Sequence, residues 1–507
     1  MPEVPRIPLT SGSRLPLVTL SDDTVLLAAP PPLDPLADVR AAVVEAFRYP
    51  LSGPPLHAVT PRGGRATVVV QLPTLPIPSV EDDPRRDALA AVLDELERHG
   101  VPRAHHTVLV AGGLGRRAGR GELELLLRRD RARAFRGRVA VHDCEADDLR
   151  PLEAAGRMHR VHPALVDTDL VVTVGAGETV GHGGATALVD ASAPGTIRSG
   201  GAVSLLEAAT APGWRLAAAL EAALQRRVPV LGLSLVLDHP RVTGLYRGYP
   251  WDPDARRALA RSPLRRLLNV APSVVRRSLH ARLPRELSVV AALAGPPSVA
   301  HAEALVRGVA VRSVVVERPF DTIVVPLPWT GTALPREPLN PVSAAALGLG
   351  HALRLWRERP ALVEGGTIVL LHPFSRVTGH GPQAPYRLLQ SALREEGGRR
   401  LRAAEGLAAR ERRAVTAYRK GSAPHPRLPF AEWESCTEML ARAGRVIVAG
   451  CRDAGAARAL GLVPSHNPAT ALEMARGLAG EGGSTAVLLG PPYPAMIVGP
   501  AEATPAV

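Results

Sequence analysis

A glycine-rich segment that begins at Gly112 carries the first residues of this sequence that could bind a ligand. Gly113 and Gly115 have the spacing of loops that bind dinucleotides, in which glycines let the backbone approach a pyrophosphate at a helix N-terminus. Arg116 and Arg117 would add positive charge at the same place. A tight turn between a strand and a helix explains these residues equally well. The segment therefore predicts either a phosphate-binding loop, with its glycines and Arg117 as cofactor-binding residues, or a purely structural turn.

A carboxylate and an imidazole stand four residues apart in a second glycine-rich segment. Glu178 and His182 follow the apolar run 170–175, and His182 is followed directly by Gly183 and Gly184. A glutamate and a histidine that face a cleft could act as acid and base in a proton transfer. The alternative is a flexible glycine loop with a solvated histidine. We predict Glu178 and His182 as candidate catalytic residues, together with Arg116 of the first segment, and the two glycines as cofactor-binding residues.

The remaining histidines and the cysteines do not have the spacing of metal ligands. His372 and His380 are eight residues apart, which matches no pair of ligands on one helix. Cys144, Cys436 and Cys451 are far from one another and never form a Cys-x-x-Cys pair. We therefore predict no metal site from the residues themselves, and free cysteines typical of a reducing compartment.

Apolar runs rich in β-branched residues alternate with stretches of helical spacing along the whole chain. This alternation predicts parallel strands joined by right-handed crossovers, with binding groups in the loops at the carboxyl ends of the strands. Both glycine-rich segments follow such strands. The predicted strands are 66–71, 107–111, 138–142, 170–175, 229–236, 322–327, 366–372, 445–450 and 485–490.

The length of 507 residues exceeds what one hydrophobic core normally organises. We predict an α/β fold of two domains, 1–284 and 285–507, each with a mostly parallel sheet and flanking helices, and a cleft between them. The boundary lies at the end of an arginine-rich stretch, 254–285, which has weak strand character and indicates connecting helices.

The net charge of +13 does not by itself indicate nucleic-acid binding. Arginines are spread among acidic residues along helical stretches, and aromatic residues suited to base stacking make up 3% of the chain. Lysine is nearly absent, Lys420 being the sole example. No apolar run is long enough to span a bilayer and the first ten residues do not look like a secretion signal. The sequence predicts a cytoplasmic protein with no nucleic-acid or membrane partner, and it leaves the oligomeric state open.

Six segments, taken in order and with their spacing, resemble the nickel-dependent lactate racemase family. No single segment is specific, and the resemblance depends on their collinearity over most of the chain. The segments are 48–56, 68–78, 108–113, 164–175, 236–248 and 364–371.

The resemblance implies two α/β domains with an active site between them. Members of the family racemise or epimerise a small 2-hydroxy acid with a nickel pincer nucleotide. A lysine tethers that nucleotide and a histidine binds the metal. Two further histidines act as alternating acid and base, a role that suits a side chain with a pKa near neutrality.

The residues at the family's functional positions differ in this chain. Gly115 stands where the resemblance places the first acid/base histidine, although Arg116 beside it is retained. Thr186 stands at the tethering lysine, and the nickel-binding histidine falls in 197–201, where there is no histidine. His182 partly substitutes for the second acid/base histidine. In the turn 72–76 a leucine replaces the arginine that clamps the substrate, and the lysine-bearing segment of the second domain corresponds to 340–346, which has no lysine.

These differences predict a divergent or non-catalytic member of the family. It would bind a hydroxy acid or a nucleotide through the loops 112–117 and 177–186, and it would be an isomerase of the racemase or epimerase class if it is active. Arginine cannot replace the tethering lysine, because its guanidinium stays protonated and is not a nucleophile. The pincer nucleotide is therefore the cofactor that the resemblance implies, and another nucleotide or no cofactor is the alternative. Two other functions remain open: a nicotinamide-dependent oxidoreductase that uses the Gly113 loop, and a scaffold without a ligand.

Overall fold

The computed structural model describes residues 6–499 except 72–82, 128, 282–284, 332–336, 376–380 and 397–400. Within these ranges, strands and helices alternate along the chain. The strands are β1 (Arg6–Pro8), β2 (Ser11–Gly12), β3 (Leu17–Thr19), β4 (Val25–Leu27), β5 (Ala66–Gln71), β6 (His106–Ala111), β7 (Arg138–Val141), β8 (Arg150–Ala154), β9 (Arg157–Val161), β10 (Leu170–Ala176), β11 (Val230–Leu237), β12 (Arg241–Val242), β13 (Arg285–Glu286), β14 (Val289–Gly295), β15 (Ser313–Val316), β16 (Phe320–Pro328), β17 (Trp356–Arg357), β18 (Leu362–Leu371), β19 (Arg445–Ala449), β20 (Val463–Ser465), β21 (Thr485–Leu488) and β22 (Ala495–Val498).

The α-helices lie between these strands. None of the helices within the described ranges is both long and apolar enough to cross a membrane. The helices are α1 (Val39–Arg48), α2 (Leu56–Val59), α3 (Pro84–Arg98), α4 (Arg120–Leu127), α5 (Arg129–Ala134), α6 (Thr186–Asp190), α7 (Pro194–Ile197), α8 (Pro212–Gln225), α9 (Pro253–Arg261), α10 (Pro263–Val270), α11 (Ser273–Ala281), α12 (Pro297–Arg312), α13 (Pro341–Ala345), α14 (Pro385–Glu396), α15 (Leu401–Arg410), α16 (Arg412–Arg419), α17 (Leu428–Ser435), α18 (Thr437–Arg442), α19 (Ala454–Ala459) and α20 (Pro468–Ala479).

The first large sheet has six strands in the order β14-β11-β10-β5-β6-β7. Neighbouring strands are parallel except β14, which is antiparallel to β11. Along the chain, β5, β6 and β7 extend the sheet to one side, and β10 and β11 then extend it to the other. The strand order therefore reverses between β5 and β10. At such a reversal the loops diverge and leave a crevice outside the carboxyl ends of the strands, where ligands commonly bind.

The second large sheet is entirely parallel and has the order β20-β19-β18-β16-β21-β4, with β2 paired to the end of β16. Its central strands are almost completely buried. Side chains on β16, β18 and β19 contribute to two separate apolar clusters, because successive side chains of a strand point to opposite faces of the sheet. Helices therefore cover both faces, and the strands appear in the sequence as continuous apolar runs.

The predicted α/β fold with mostly parallel sheets is confirmed, and each of the nine predicted strands corresponds to a strand of the two large sheets. The predicted connecting helices of 254–285 are α9, α10 and α11. Some strands pair across the predicted boundary at residue 284. β14 belongs to the first sheet and β4 to the second. Both are edge strands that pair with residues far away in the sequence. The spacing of apolar residues alone could therefore not show to which sheet each belongs.

Candidate functional site

A cavity of about 570 Å³ lies where the loops of the two sheets meet. Residues 112–214, which follow strands of the first sheet, form one wall, and residues 350–438 of the second half form the other. Seven glycines line the cavity and leave its walls free of side chains at those points. They are Gly112, Gly113, Gly181, Gly200, Gly201, Gly213 and Gly350.

Three carboxyl groups line this cavity, those of Asp190, Glu434 and Glu438, and Asp190 is the one on the wall formed by the first sheet. The side chain of Gln71, the last residue of β5, donates from Nε2 to Asp190 Oδ2 at 2.6 Å. The Gln71 Oε1 atom accepts from the backbone N–H of Gly183 at 2.7 Å, which fixes the amide. Burial raises the pKa of Asp190 to about 6, and the hydrogen bond from Gln71 opposes that rise. Asp190 therefore titrates close to neutrality, as a group that exchanges a proton with a ligand must.

The first two glycines of the first glycine-rich segment line the cavity, whereas its arginines make contacts elsewhere. Gly112 and Gly113 line the cavity, and Gly113 donates its N–H to the carbonyl of Asp190 at 3.1 Å. Gly113 has a φ of +52°, and a Cβ atom there would lie 2.7 Å from Asp190 Oδ1. This glycine therefore allows the loop to pack directly on the carboxyl group.

Gly115, Arg116 and Arg117 do not line the cavity. The Arg116 guanidinium forms an ion pair with Glu122 and donates to the carbonyl of Gly421 at 3.3 Å. Arg117 donates to the carbonyl of Arg419 at 2.5 Å and to that of Val141 at 3.1 Å. These two arginines tie the segment to the turn that follows α16.

The geometry of a dinucleotide loop is not reproduced at this segment. The helix α4 begins at Arg120, several residues after the glycines, and the carboxylate of Glu122 accepts from the backbone N–H of Gly119 at 2.7 Å. A side chain thus occupies the position at the helix N-terminus where a pyrophosphate would bind.

In the second glycine-rich segment, His182 lines the large cavity, whereas Glu178, Gly183 and Gly184 do not. Gly183 and Gly184 have φ values of +111° and +50°, and a Cβ atom on either would overlap the side chain of His301. The Nε2 atom of that histidine is 2.9 Å from the carbonyl oxygen of Thr179. Burial lowers the pKa of His301 to about 4, so its ring is neutral at pH 7. The two glycines therefore allow α12 to pack closely against this loop.

Glu178 lies beside the large cavity in a small chamber of about 30 Å³, room for roughly one or two water molecules. The carboxylate is almost completely buried and accepts from Arg85 Nη1 at 3.0 Å, and Arg85 also pairs with Asp83 at 2.7 Å. His351 lines both the chamber and the large cavity. Burial lowers the pKa of His351 to about 4, and the nearby Glu178 opposes that shift. The structure thus gives Glu178 an arginine partner and separates it from the wall that holds His182.

Two groups of the opposite wall, Arg354 and His351, escaped the sequence analysis. Arg354 is buried and donates from Nε to the carbonyl of Val203 at 3.0 Å and from Nη1 to that of Ser435 at 3.1 Å. Carbonyl oxygens hold this guanidinium in place. No described carboxylate lies within ion-pair distance of it, although Glu438, which also lines the cavity, is near enough to oppose the lowering of its pKa by burial. The nearest sequence signal is the glycine at position 350, just before both residues, and a single glycine is too common to select them. Asp190 is the last residue of the short apolar helix α6, and nothing in the sequence marks it as a site residue.

The residues present do not fit a tethered nickel nucleotide. Thr186, which the resemblance aligns with the family's lysine, is buried and donates its hydroxyl to the carbonyl of Gly183 at 2.7 Å. Lys420 is exposed after α16 and does not line the cavity. No group of three histidines, cysteines or acids in the described part of the chain is arranged to hold a metal ion. The turn 72–76 and His380 lie outside the described residues, and His372 is a buried neighbour of Phe374.

The fold of this chain is similar to that of a solved lactate racemase. The structure of the lactate racemase apoprotein from Thermoanaerobacterium thermosaccharolyticum superimposes with a TM-score of 0.60 over 97% of this chain and 100% of that one, at 16% sequence identity. A protein from Thermotoga maritima is 12% identical over 92% of this chain and 99% of its own, with a TM-score of 0.47, which is too low to support an argument. No curated protein sequence matches.

Residues 12–186 match the family model described as the lactate racemase N-terminal domain. The sequence similarity to this family is thus limited to the N-terminal part of the chain, whereas the similarity of fold extends over 97% of it.

Proposed function

We propose that this chain is a divergent lactate racemase-like protein that holds a small 2-hydroxy acid in its cavity without a tethered nickel pincer nucleotide. The observation that supports the proposal most is the presence of Asp190 and Arg354 in the same cavity, one on each wall. A hydroxy acid has a hydroxyl and a carboxylate on adjacent carbons, and it needs one partner of each kind.

Arg354 is suited to bind the carboxylate. Two of its nitrogens are fixed by backbone carbonyls, and no described residue accepts a hydrogen bond from the third, Nη2. A planar guanidinium held in this way has lost its conformational freedom before the ligand arrives, which favours binding. Charge-assisted hydrogen bonds to a carboxylate are about twice as strong as neutral ones.

Asp190 is suited to bind the hydroxyl. Its Oδ2 atom already accepts from Gln71, and no described residue donates to Oδ1. With a pKa of about 6 the carboxyl is mostly ionised at pH 7, so it accepts a hydrogen bond from a hydroxyl group. His351 is neutral at that pH because burial lowers its pKa, and it adds no competing charge.

Racemisation by the family's route is not expected under this proposal. That route requires a lysine to tether the cofactor and a histidine for the metal, and this chain has Thr186 and the histidine-free stretch 197–201 at those places. The nicotinamide-dependent oxidoreductase remains the alternative that uses the Gly113 loop, but the occupied N-terminus of α4 disfavours it. A scaffold without a ligand is the other alternative.

The first experiment measures nickel content and intact mass on protein purified from its own organism. An unmodified chain without stoichiometric nickel is expected. Stoichiometric nickel or an added cofactor mass would show that other residues of this chain hold the family's cofactor, and the proposal would fail.

The second experiment measures binding of D- and L-lactate and larger 2-hydroxy acids by calorimetry. We expect Arg354→Gln and Asp190→Asn each to weaken binding about tenfold or more, as the loss of a hydrogen bond to a charged group does. Arg442→Gln is the matched control, because Arg442 also donates to a backbone carbonyl, that of Leu362, at 2.6 Å, but lies away from the cavity. Equal binding by all three variants would contradict the proposed site. Binding of a nicotinamide nucleotide but no hydroxy acid would favour the oxidoreductase.

A further inference from the structure

The helices α10 and α11 are packed with their polar side inward. In α10, Arg265 is 5% exposed, whereas Leu267 is 62% and Val270 81% exposed. In α11, Arg276 is 5% and Val274 73% exposed. Amphipathic helices on the surface of a protein ordinarily bury the apolar stripe and expose the charged one. These two helices each bury an arginine and expose most of their large apolar side chains, although Leu268 of α10 is also buried.

Specific hydrogen bonds fix this rotation. The Nη1 atom of Arg265 donates to the carbonyl of Leu15 at 3.3 Å, and Asn269 both accepts from the N–H of Leu15 at 2.7 Å and donates to its carbonyl at 2.8 Å. Arg276 Nε donates to Ser13 Oγ at 3.0 Å. The polar side of both helices thus satisfies the backbone and side chains of the segment between β2 and β3. The orientation is determined by several partners and is not an accident of one contact.

The consequence is a surface of six large apolar side chains within sixteen residues, each at least 46% exposed. We call this surface the α10–α11 face. Large exposed apolar patches are rare on monomers and usually mark an interaction site. Its members are Leu264, Leu267, Val270, Val274, Val275 and Leu279.

The charges around the α10–α11 face indicate what covers it. Arg257, Arg261 and Arg266 are exposed and lie in the same stretch of sequence as the apolar side chains. Asp254 is the only acidic residue in the sequence from Pro253 to Ala281, and it pairs with Arg257. The surroundings of the face are therefore strongly positive, which disfavours pairing with a second copy of the same face and favours an anionic partner.

We propose that the α10–α11 face docks on an anionic lipid bilayer surface. Short helices that present leucine and valine flanked by arginine lie in the plane of the bilayer interface, with apolar side chains at the acyl boundary and basic ones at the headgroups. Such a surface supplies apolar contact and negative charge together.

The test measures cosedimentation of the full chain with vesicles of phosphatidylcholine alone and of phosphatidylcholine mixed with phosphatidylglycerol. Binding is expected only to the mixed vesicles, and salt should weaken it, because charges near a surface are screened over about 10 Å at moderate ionic strength. Arg261→Gln with Arg266→Gln should weaken binding about thirtyfold, since each basic residue near an anionic surface contributes about fivefold.

Leu267→Asp tests the apolar part of the face, and it should weaken binding by tenfold or more. Leu478→Asp is the matched control, because Leu478 is 54% exposed on α20, far from the arginine-rich helices in sequence. Both variants should keep the melting temperature of the parent and its binding of ligand in the cavity. Failure to bind the mixed vesicles at low salt, or equal binding by both variants, would overturn the proposal. So would self-association that Leu267→Asp abolishes without any vesicle binding, since it would assign the face to a second copy.

Discussion

The two glycine-rich segments follow parallel strands of one sheet and look alike in the sequence, yet their glycines have different purposes. Gly183 and Gly184 let a helix approach, because His301 occupies the space where side chains would be. Gly113 lets a loop rest on the Asp190 carboxyl at the edge of the cavity. A glycine-rich loop after a strand therefore indicates that another group packs closely against the backbone. Only the structure shows whether that group is a ligand or another part of the protein.

Substitution at the packing glycine should have the largest effect. Gly183→Ala places a methyl group against His301 and the carbonyl oxygen of Ala176 in a backbone with a φ of +111°. Because backbone and a buried ring must both shift, we expect a loss of roughly 3 kcal/mol or more in the free energy of unfolding. Denaturant unfolding measures it. Gly181→Ala is the control, since nothing lies within 4 Å of its Cβ position. Similar losses in both variants would contradict the packing role.

The next largest effect should come from Asp190, which links the two segments. Its carbonyl accepts from Gly113, and its carboxyl accepts from Gln71, whose amide oxygen accepts from Gly183. The carboxyl pKa is raised to about 6 from an unfolded value of 3.8, so the folded state binds the proton more tightly. The proton's contribution to stability is fully present below about pH 4 and is lost as the pH rises through 6.

The measurement is the difference in unfolding free energy between the parent and Asp190→Asn at several pH values. The asparagine side chain of the variant does not titrate, so the parent should lose on the order of 2 kcal/mol relative to the variant between pH 4 and pH 7. A difference that does not change with pH would show that Asp190 has an ordinary pKa, which would contradict its burial between the two segments.

Gly113→Ala should have a smaller effect on stability and a clear one on the cavity. The positive φ of +52° costs an alanine about 1 kcal/mol, and the contact with Asp190 Oδ1 adds to that cost. Gly112→Ala, with nothing within 4 Å of the Cβ position, should be close to neutral. Denaturant unfolding and hydroxy-acid calorimetry on the pair decide whether the segment acts through Asp190.

The smallest effect is expected from Arg116→Gln. Its guanidinium contacts Glu122 and the turn after α16 and does not line the cavity, and partly exposed ion pairs contribute about 1 kcal/mol or less. Ligand binding in the cavity should be unchanged. A marked loss of binding would restore Arg116 as a catalytic or binding residue.

The sequence predicted the strands well because burial on both faces leaves a simple pattern. Residues such as Val68, Val69 and Val70 have to be apolar whichever face they point to. The places of the edge strands β4 and β14 in the sheets were not predicted, since they depend on pairing with distant strands.

The candidate site was predicted only in part for a different reason. Gly112, Gly113 and His182 were predicted because they belong to recognisable glycine-rich segments, and they do line the cavity. Asp190 and Arg354 are brought together by two chain segments that lie far apart in the sequence, and nothing near either residue indicates the other.

The pairing of β4 has a consequence for the order in which the protein can fold as it is synthesised. Within the described ranges β4 pairs with β21 alone, so residues 25–27 cannot pair until residues 485–488 have been made. All strands of the first sheet lie between them in the chain and can assemble as soon as they leave the ribosome. The second sheet therefore gains β4 as its edge strand only after residues 485–488 have been made, when the first sheet can already have formed.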